Sequence, residues 1–258
     1  MRYDGMDETR RLAYLDALGI DVWRPLQSAS DQAETAPAID VIVPSTKRDD
    51  APPAASVAAR DETSAANAAP DAARQWALLR HDVTRCTQCR LHETRTHAVF
   101  GTGSRYANLL IVGEAPGAEE DRLGEPFVGR AGQLLTRMLA AIGLARDSVF
   151  IANVLKCRPP QNRDPRNDEM HACRGYLEQQ LAQINPAVVL AVGRFAARQL
   201  LGEDKPLGKM RGEPKPLPEH GVPVVVTYHP AYLLRTPSAK QQAWQDLKRV
   251  RALLESAA

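Results

Sequence analysis

The sequence predicts an α/β fold, a three-layer sandwich with a central four-stranded parallel sheet, and three observations carry that expectation. Four apolar runs of strand length punctuate residues 74–258. Helical patterns separate them in strict alternation. The runs are apolar at successive positions, as in strands covered by helices on both faces.

In chain order, residues 8–26 place Leu12, Leu15, Leu18 and Ile20 at helical spacing, with Val22 and Trp23 past Gly19. This predicts a short amphipathic helix and tail over residues 1–27. It has no core of its own, so it is expected either to dock, on this protein or on a protein partner, or to stay partly unfolded. Residues 28–73 are rich in Ala, Pro, Asp, Ser and Thr and nearly free of aromatics. Such a composition buries too little apolar surface to offset ordering entropy, and predicts a disordered linker. The folded domain is expected over 74–258. Its strands are "NLLIVG" (108–113), "VFIANV" (149–154), "AVVLAVG" (187–193) and "PVVVTY" (223–228). Its helices are expected over Ala131–Ile142, Asp168–Ile184, Arg194–Leu201 and Ser238–Leu254.

The chain has 258 residues, 44% hydrophobic and 25% charged. No run of 18 apolar residues occurs, which excludes a membrane-spanning helix. The charged N-terminus lacks the apolar core of a secretion signal, so a cytoplasmic protein is expected, with a monomer as the default. The net charge of +2 conceals a division. Residues 1–73 hold 7 basic and 13 acidic side chains, a net of −6. Residues 74–258 hold 26 and 18, a net of +8, which suits either a phosphate-rich partner or an ordinary solvated surface.

Ligands of open α/β sheets bind beyond the carboxyl ends of the strands, and three of these four ends carry unusual residues. The first ends in "GEAPG", with Gly113, Glu114 and Ala115, followed by Phe127 in a loop. Glycines there let backbone N–H groups approach a ligand, and a loop aromatic either stacks on a base or packs into the core. The second ends in Asn153, whose amide can read a nucleobase edge or simply cap a turn. Lys156 and Arg158 follow it and could meet phosphates. The fourth ends in His229, a donor toward an oxygen that gains negative charge, or a structural histidine.

Cys86, Cys89, Cys157 and Cys173 are all the cysteines of the chain. In a reducing compartment they read as one four-thiolate site, and spacing alone does not separate zinc from iron. A thioredoxin-like pair is disfavoured because "CTQC" does not open a helix after a strand.

Together, "GEAPG", "EPFVGRAGQLL", "NVLKCRPPQNRDP" and "HPAYLLR" resemble the family 4 uracil-DNA glycosylases, the iron–sulfur branch of their superfamily. The resemblance runs from about Trp76 to Leu254. It implies hydrolysis of the uracil–deoxyribose bond in single- or double-stranded DNA, with the base flipped from the stack. Position by position, it implies that Gly113, Glu114 and Ala115 line the uracil site, Phe127 stacks, Asn153 reads the polar edge and His229 faces the developing oxyanion. It makes the cysteine site a 4Fe-4S cluster. It also implies that Leu233 and Leu234 fill the vacated stack and Arg235 holds a phosphate. Ala115 stands where the best-known branch of the superfamily has an aspartate for the water, leaving Glu114 or main chain to hold it. Glu119 or Glu120 is the expected source of bulk against the thymine methyl. A basic insertion typical of covalently trapping relatives is missing from "GRAGQLLTRML". Two rival readings fit the residues less well. A dinucleotide oxidoreductase lacks its G-x-G-x-x-G turn here. A non-enzymatic metal-cluster nucleic-acid-binding module leaves Asn153 and His229 without purpose.

Overall fold

The computed structural model describes residues 62–257, with side chains from residue 71. The helix expected over residues 8–26, and most of the linker, lie outside the described residues. The linker's far boundary is corrected: α1 (Glu62–Arg85) begins before residue 73. Six alanines fall within 62–73, and alanine is the strongest helix former, so a composition poor for core building still suits a helix.

The sheet has six strands: β1 (Thr102–Gly103), β2 (Leu109–Gly113), β3 (Phe150–Asn153), β4 (Val188–Val192), β5 (Lys215–Pro216) and β6 (Pro223–Thr227), in the order β1-β3-β2-β4-β6-β5. The four expected strands form its parallel centre. The count of four is corrected by two antiparallel edge strands of two residues each, too short to leave a periodicity.

Helices α2 (Ala118–Leu123), α3 (Arg130–Ala141), α4 (Asn167–Ile184), α5 (Arg194–Leu201), α6 (Leu207–Met210), α7 (Pro230–Arg235) and α8 (Lys240–Ala257) complete the fold. Alternate strand residues divide between two cores, as the pleat requires. Leu110, Val112, Val189, Ala191 and Val224 pack with Leu79 and Val83 of α1, Leu177 and Leu181 of α4, and Leu200 of α5. Leu109, Ile111, Leu190, Val192 and Val225 pack with Leu135 and Met138 of α3 and with Leu247 and Val250 of α8. That is the three-layer sandwich. Among the described residues no helix is long and apolar enough to cross a membrane.

Candidate active site

Strands β2 and β3 run in register, with Gly113 opposite Asn153. Their pairing continues past the strands: Val154 N–H donates to Gly113 O at 2.9 Å and Leu155 N–H to Glu114 O at 3.0 Å. The first and second strand ends are thereby locked side by side. A cavity of about 230 Å³ opens there, lined among others by Glu114, Ala115, Glu120, Phe127, Asn153 and His229. Three separate strand ends meet at one cavity. A larger open groove, about 630 Å³, runs between α4 and α5 and holds none of these residues.

Asn153 is 2% exposed, and its Oδ1 has no hydrogen-bond partner in the structure. An unpaired buried amide oxygen costs free energy, so it marks a place where a donor is expected to bind. A β-carbon on Gly113 would fall against that oxygen and 2.6 Å from Phe127 Cζ. Glycine is therefore the residue that lets the amide and the ring close on the cavity.

Phe127 is buried and sits at φ +54°, a left-handed conformation rarely adopted by an aromatic residue. Such strain persists where the surroundings over-determine it, and Glu120 supplies the constraint. Its Oε1 accepts from Val128 N–H at 2.9 Å and Gly129 N–H at 3.1 Å, and its Oε2 from Gly117 N–H at 3.1 Å. One carboxylate thus ties the "GEAPG" turn to the phenylalanine loop. Glu119 points away and pairs with Arg122 at 2.8 Å on the surface. Of the two acidic candidates, only Glu120 lines the cavity.

His229 precedes α7, with its ring centroid 5.6 Å from that of Phe127. Its Nδ1 accepts from Ala231 N–H at 3.1 Å, which leaves the proton on Nε2. Burial, reinforced by the charge of Arg235, pushes its pKa down to about 4, against a small opposing effect of Glu120. The imidazole is a neutral donor at physiological pH. Glu114 moves the other way: burial and the nearby Asp164 raise it to about 7, with Arg194 opposing.

Two DNA-contact expectations are corrected. Lys156 is 1% exposed, with its ammonium turned inward on Asn153 O and Gln180, so it cannot present itself to a phosphate. Leu233 is fully buried in the core beneath α7 and is not free to enter a duplex. Leu234, 44% exposed, and Arg235 lie on the outside of the same helix. Arg158 is partly buried and donates to Asn162 Oδ1 at 2.8 Å. Sequence reading missed Arg163, which lines the cavity and is gripped by Glu169, 2.9 Å from Nη1 to Oε2. Its signal lay in the proline-bracketed polar run "PPQNRDP".

Cys157 and Cys173 belong to the core between the sheet and α4, and Cys86 and Cys89 pack against that core. Burial pushes the thiols of Cys89, Cys157 and Cys173 up, and each also feels a neighbouring cysteine. Arg95 Nη1 donates to Cys157 Sγ at 2.9 Å and Lys156 N–H to Cys173 Sγ at 3.3 Å. The chemistry of this donor set fits a four-thiolate centre, whose sulfurs take N–H donors. Among the described residues, no three His, Cys, Asp or Glu side chains stand close enough together to grip an ion.

The strand-end cavity thus brings together an orphaned amide, an aromatic wall and a neutral histidine on a parallel sheet, and the chain belongs to the uracil DNA glycosylase superfamily, whose family model matches residues 100–248. Within that superfamily it falls in the type-4 branch. A type-4 uracil-DNA glycosylase of Archaeoglobus fulgidus is 44% identical over 175 residues, covering 66% of this chain and 88% of the relative. Those of Sulfurisphaera tokodaii and Thermotoga maritima are 43% and 42% identical, covering 83% and 94% of their lengths.

Proposed function

We propose that this protein is a DNA-repair glycosylase that flips uracil out of DNA and hydrolyses its N-glycosidic bond, leaving free uracil and an abasic site. The observation that carries the reading is the buried, unpartnered Oδ1 of Asn153 at the cavity floor. Uracil presents a ring N–H to such an acceptor, whereas cytosine presents a bare nitrogen at that position. The binding-module alternative gives that oxygen no partner.

In this reading Phe127 stacks on the flipped ring. The C1′–N1 bond breaks with its electron pair leaving on uracil, and water adds to C1′. His229 Nε2–H donates to the carbonyl oxygen that becomes anionic; one such donor is commonly worth about 3 kcal/mol. With a pKa near 4 the ring stays neutral, so it stabilises the oxyanion by hydrogen bonding. Glu114 orients the water and takes its proton, a role suited to a carboxylate raised to about 7. Arg158, Leu234 and Arg235 are the surface residues assigned to DNA.

Cys86, Cys89, Cys157 and Cys173 would hold a 4Fe-4S cluster, which supplies a covalent tie between the segment before β1 and the loop after β3. A brown protein with about four irons per chain supports this, and a colourless zinc protein after anaerobic purification overturns it. We assign the protein to the cytoplasm as a monomer, with residues 1–27 as a docking segment for a protein partner. Deleting residues 1–61 should then leave excision intact.

The deciding experiment uses an oligonucleotide with a single uracil, followed by hot alkali. Scission at uracil and not at a thymine control is expected. Retention of the oligonucleotide without scission across salt and pH overturns the reading. Asn153→Ala should cut the rate by orders of magnitude in a folded protein.

A further inference from the structure

We propose that Tyr232 is a stacking platform for an unpaired base beside the flipped uracil, and that it shifts the preference of the protein toward single-stranded DNA. This rests on reading the protein as a uracil-DNA glycosylase.

Tyr232 lies in α7, one residue past Ala231, which lines the cavity together with His229. Among the described residues five large apolar side chains are exposed, and two of them, Tyr232 and Leu234, share this one short helix. A helix of six residues is only about 9 Å long. A strand that delivers one nucleotide into the cavity therefore carries its next bases past α7.

A single exposed aromatic needs no explanation, so the case turns on what stands behind this one. The Tyr232 ring stacks on Tyr228, with centroids 5.0 Å apart and planes 30° from parallel. Tyr228 is the residue just before His229. The Arg211 guanidinium lies over its ring, 4.2 Å from the centroid. Its Oη donates to Gln242 Oε1 at 2.9 Å. Arg211 is fixed in turn: Nε donates to Asp246 Oδ2 at 2.8 Å, and Nη1 and Nη2 donate to Gln242 Oε1 and O, each at 2.9 Å. Asp246 is 1% exposed and sits in α8. The ends of α6 and β6 and one face of α8 thus hold Tyr228, and Tyr228 holds Tyr232. A ring supported in this way has little rotamer freedom left to lose when a base lies on it.

Such a ring accepts any base, because every base has a π-face. The state of the strand decides whether a base can reach it. In a duplex the base beside the gap stays paired with its partner and stacked on its far neighbour. In a single strand it swings free at little cost. The two exposed side chains of α7 then serve different substrates, Leu234 the vacated stack of a duplex and Tyr232 an unpaired neighbour.

The test uses the full-length protein and compares Tyr232→Phe, which keeps the ring, with Tyr232→Leu, which keeps apolar bulk without a π-face. Two probes carry an abasic-site analogue that cannot be cleaved, one single-stranded and one duplex, with 2-aminopurine beside the analogue. Binding is followed by anisotropy and stacking by quenching of the 2-aminopurine. Tyr232→Leu is expected to weaken single-strand binding roughly tenfold, to leave duplex binding within about twofold, and to lose the quenching. Tyr232→Phe should match the wild type in all three. Stacking releases no counterions, so the slope of log Kd against log salt should be the same in both variants, which a lost phosphate contact would not allow. Equal weakening on the two probes overturns the proposal, as does quenching that survives in Tyr232→Leu. If Tyr232→Leu does not fold, Tyr232→Trp decides: its larger face should tighten single-strand binding over duplex binding, and an unchanged ratio overturns the proposal. A wild type that binds and quenches the single strand but excises no uracil refutes the proposed activity and leaves the platform standing, so the two failures are distinguishable.

Discussion

Replacing Gly113 by alanine tests the site where its geometry is tightest. The added β-carbon would lie 2.6 Å from Phe127 Cζ and closer still to Asn153 Oδ1, where ordinary contact begins at 3.4 Å. The shortfall against the ring is therefore about 0.8 Å. Neither neighbour can yield cheaply: Asn153 is 2% exposed, and Phe127 is 7% exposed at a strained φ. Alanine itself suits the backbone here, since Gly113 needs no positive φ. The cost to folding is that of mild overpacking, about 1–3 kcal/mol. The cost to excision is larger in kind, because a displacement near 1 Å at a reacting centre costs about 10²-fold. Single-turnover excision from a uracil oligonucleotide, read by alkaline scission, measures the second, and thermal unfolding the first. Gly175→Ala is the control. It lies in α4 with nothing within 4 Å of the new carbon, and should stabilise by about 0.5–1 kcal/mol without altering excision. A Gly113→Ala enzyme within twofold of the wild-type kcat/KM would refute the assignment of Asn153 and Phe127 to the base.

Four further outcomes are expected. Glu114 must be ionised to act, so kcat/KM should rise with pH through about 7, against the Asp164 and Arg194 charges that face it, and Glu114→Gln should flatten that limb. Because its pKa is raised above the ordinary 4.5, the same burial makes folding stability fall as pH rises from about 4.5 to about 7, which urea midpoints across that window would show. Glu120→Gln should lower both melting temperature and excision by loosening the three N–H contacts on its carboxylate. Leu233→Ala should cost about 2–5 kcal/mol in stability, whereas Leu234→Ala should leave stability nearly unchanged and weaken excision from duplex DNA, checked by denaturation and kinetics on each.

What the sequence determined by itself was the set of strands and the order of residues at their ends. Each central strand is buried on both faces, so it must be apolar throughout, and that one-dimensional constraint is visible without a structure. Asn153 and His229 were legible for the same reason: polar residues stand out where an apolar run stops. Only the tertiary structure decided which neighbours of those residues face inward. Lys156 and Arg158 are alike as sequence, yet one is sealed against Gln180 and the other reaches the surface. Leu233 and Leu234 differ only by a 100° turn of α7, which sends one into the core and the other to solvent. Glu120 and Glu119 part in the same way. Inward or outward is a property of what packs on the opposite side, supplied here by residues tens of positions away. No local pattern in the chain encodes it.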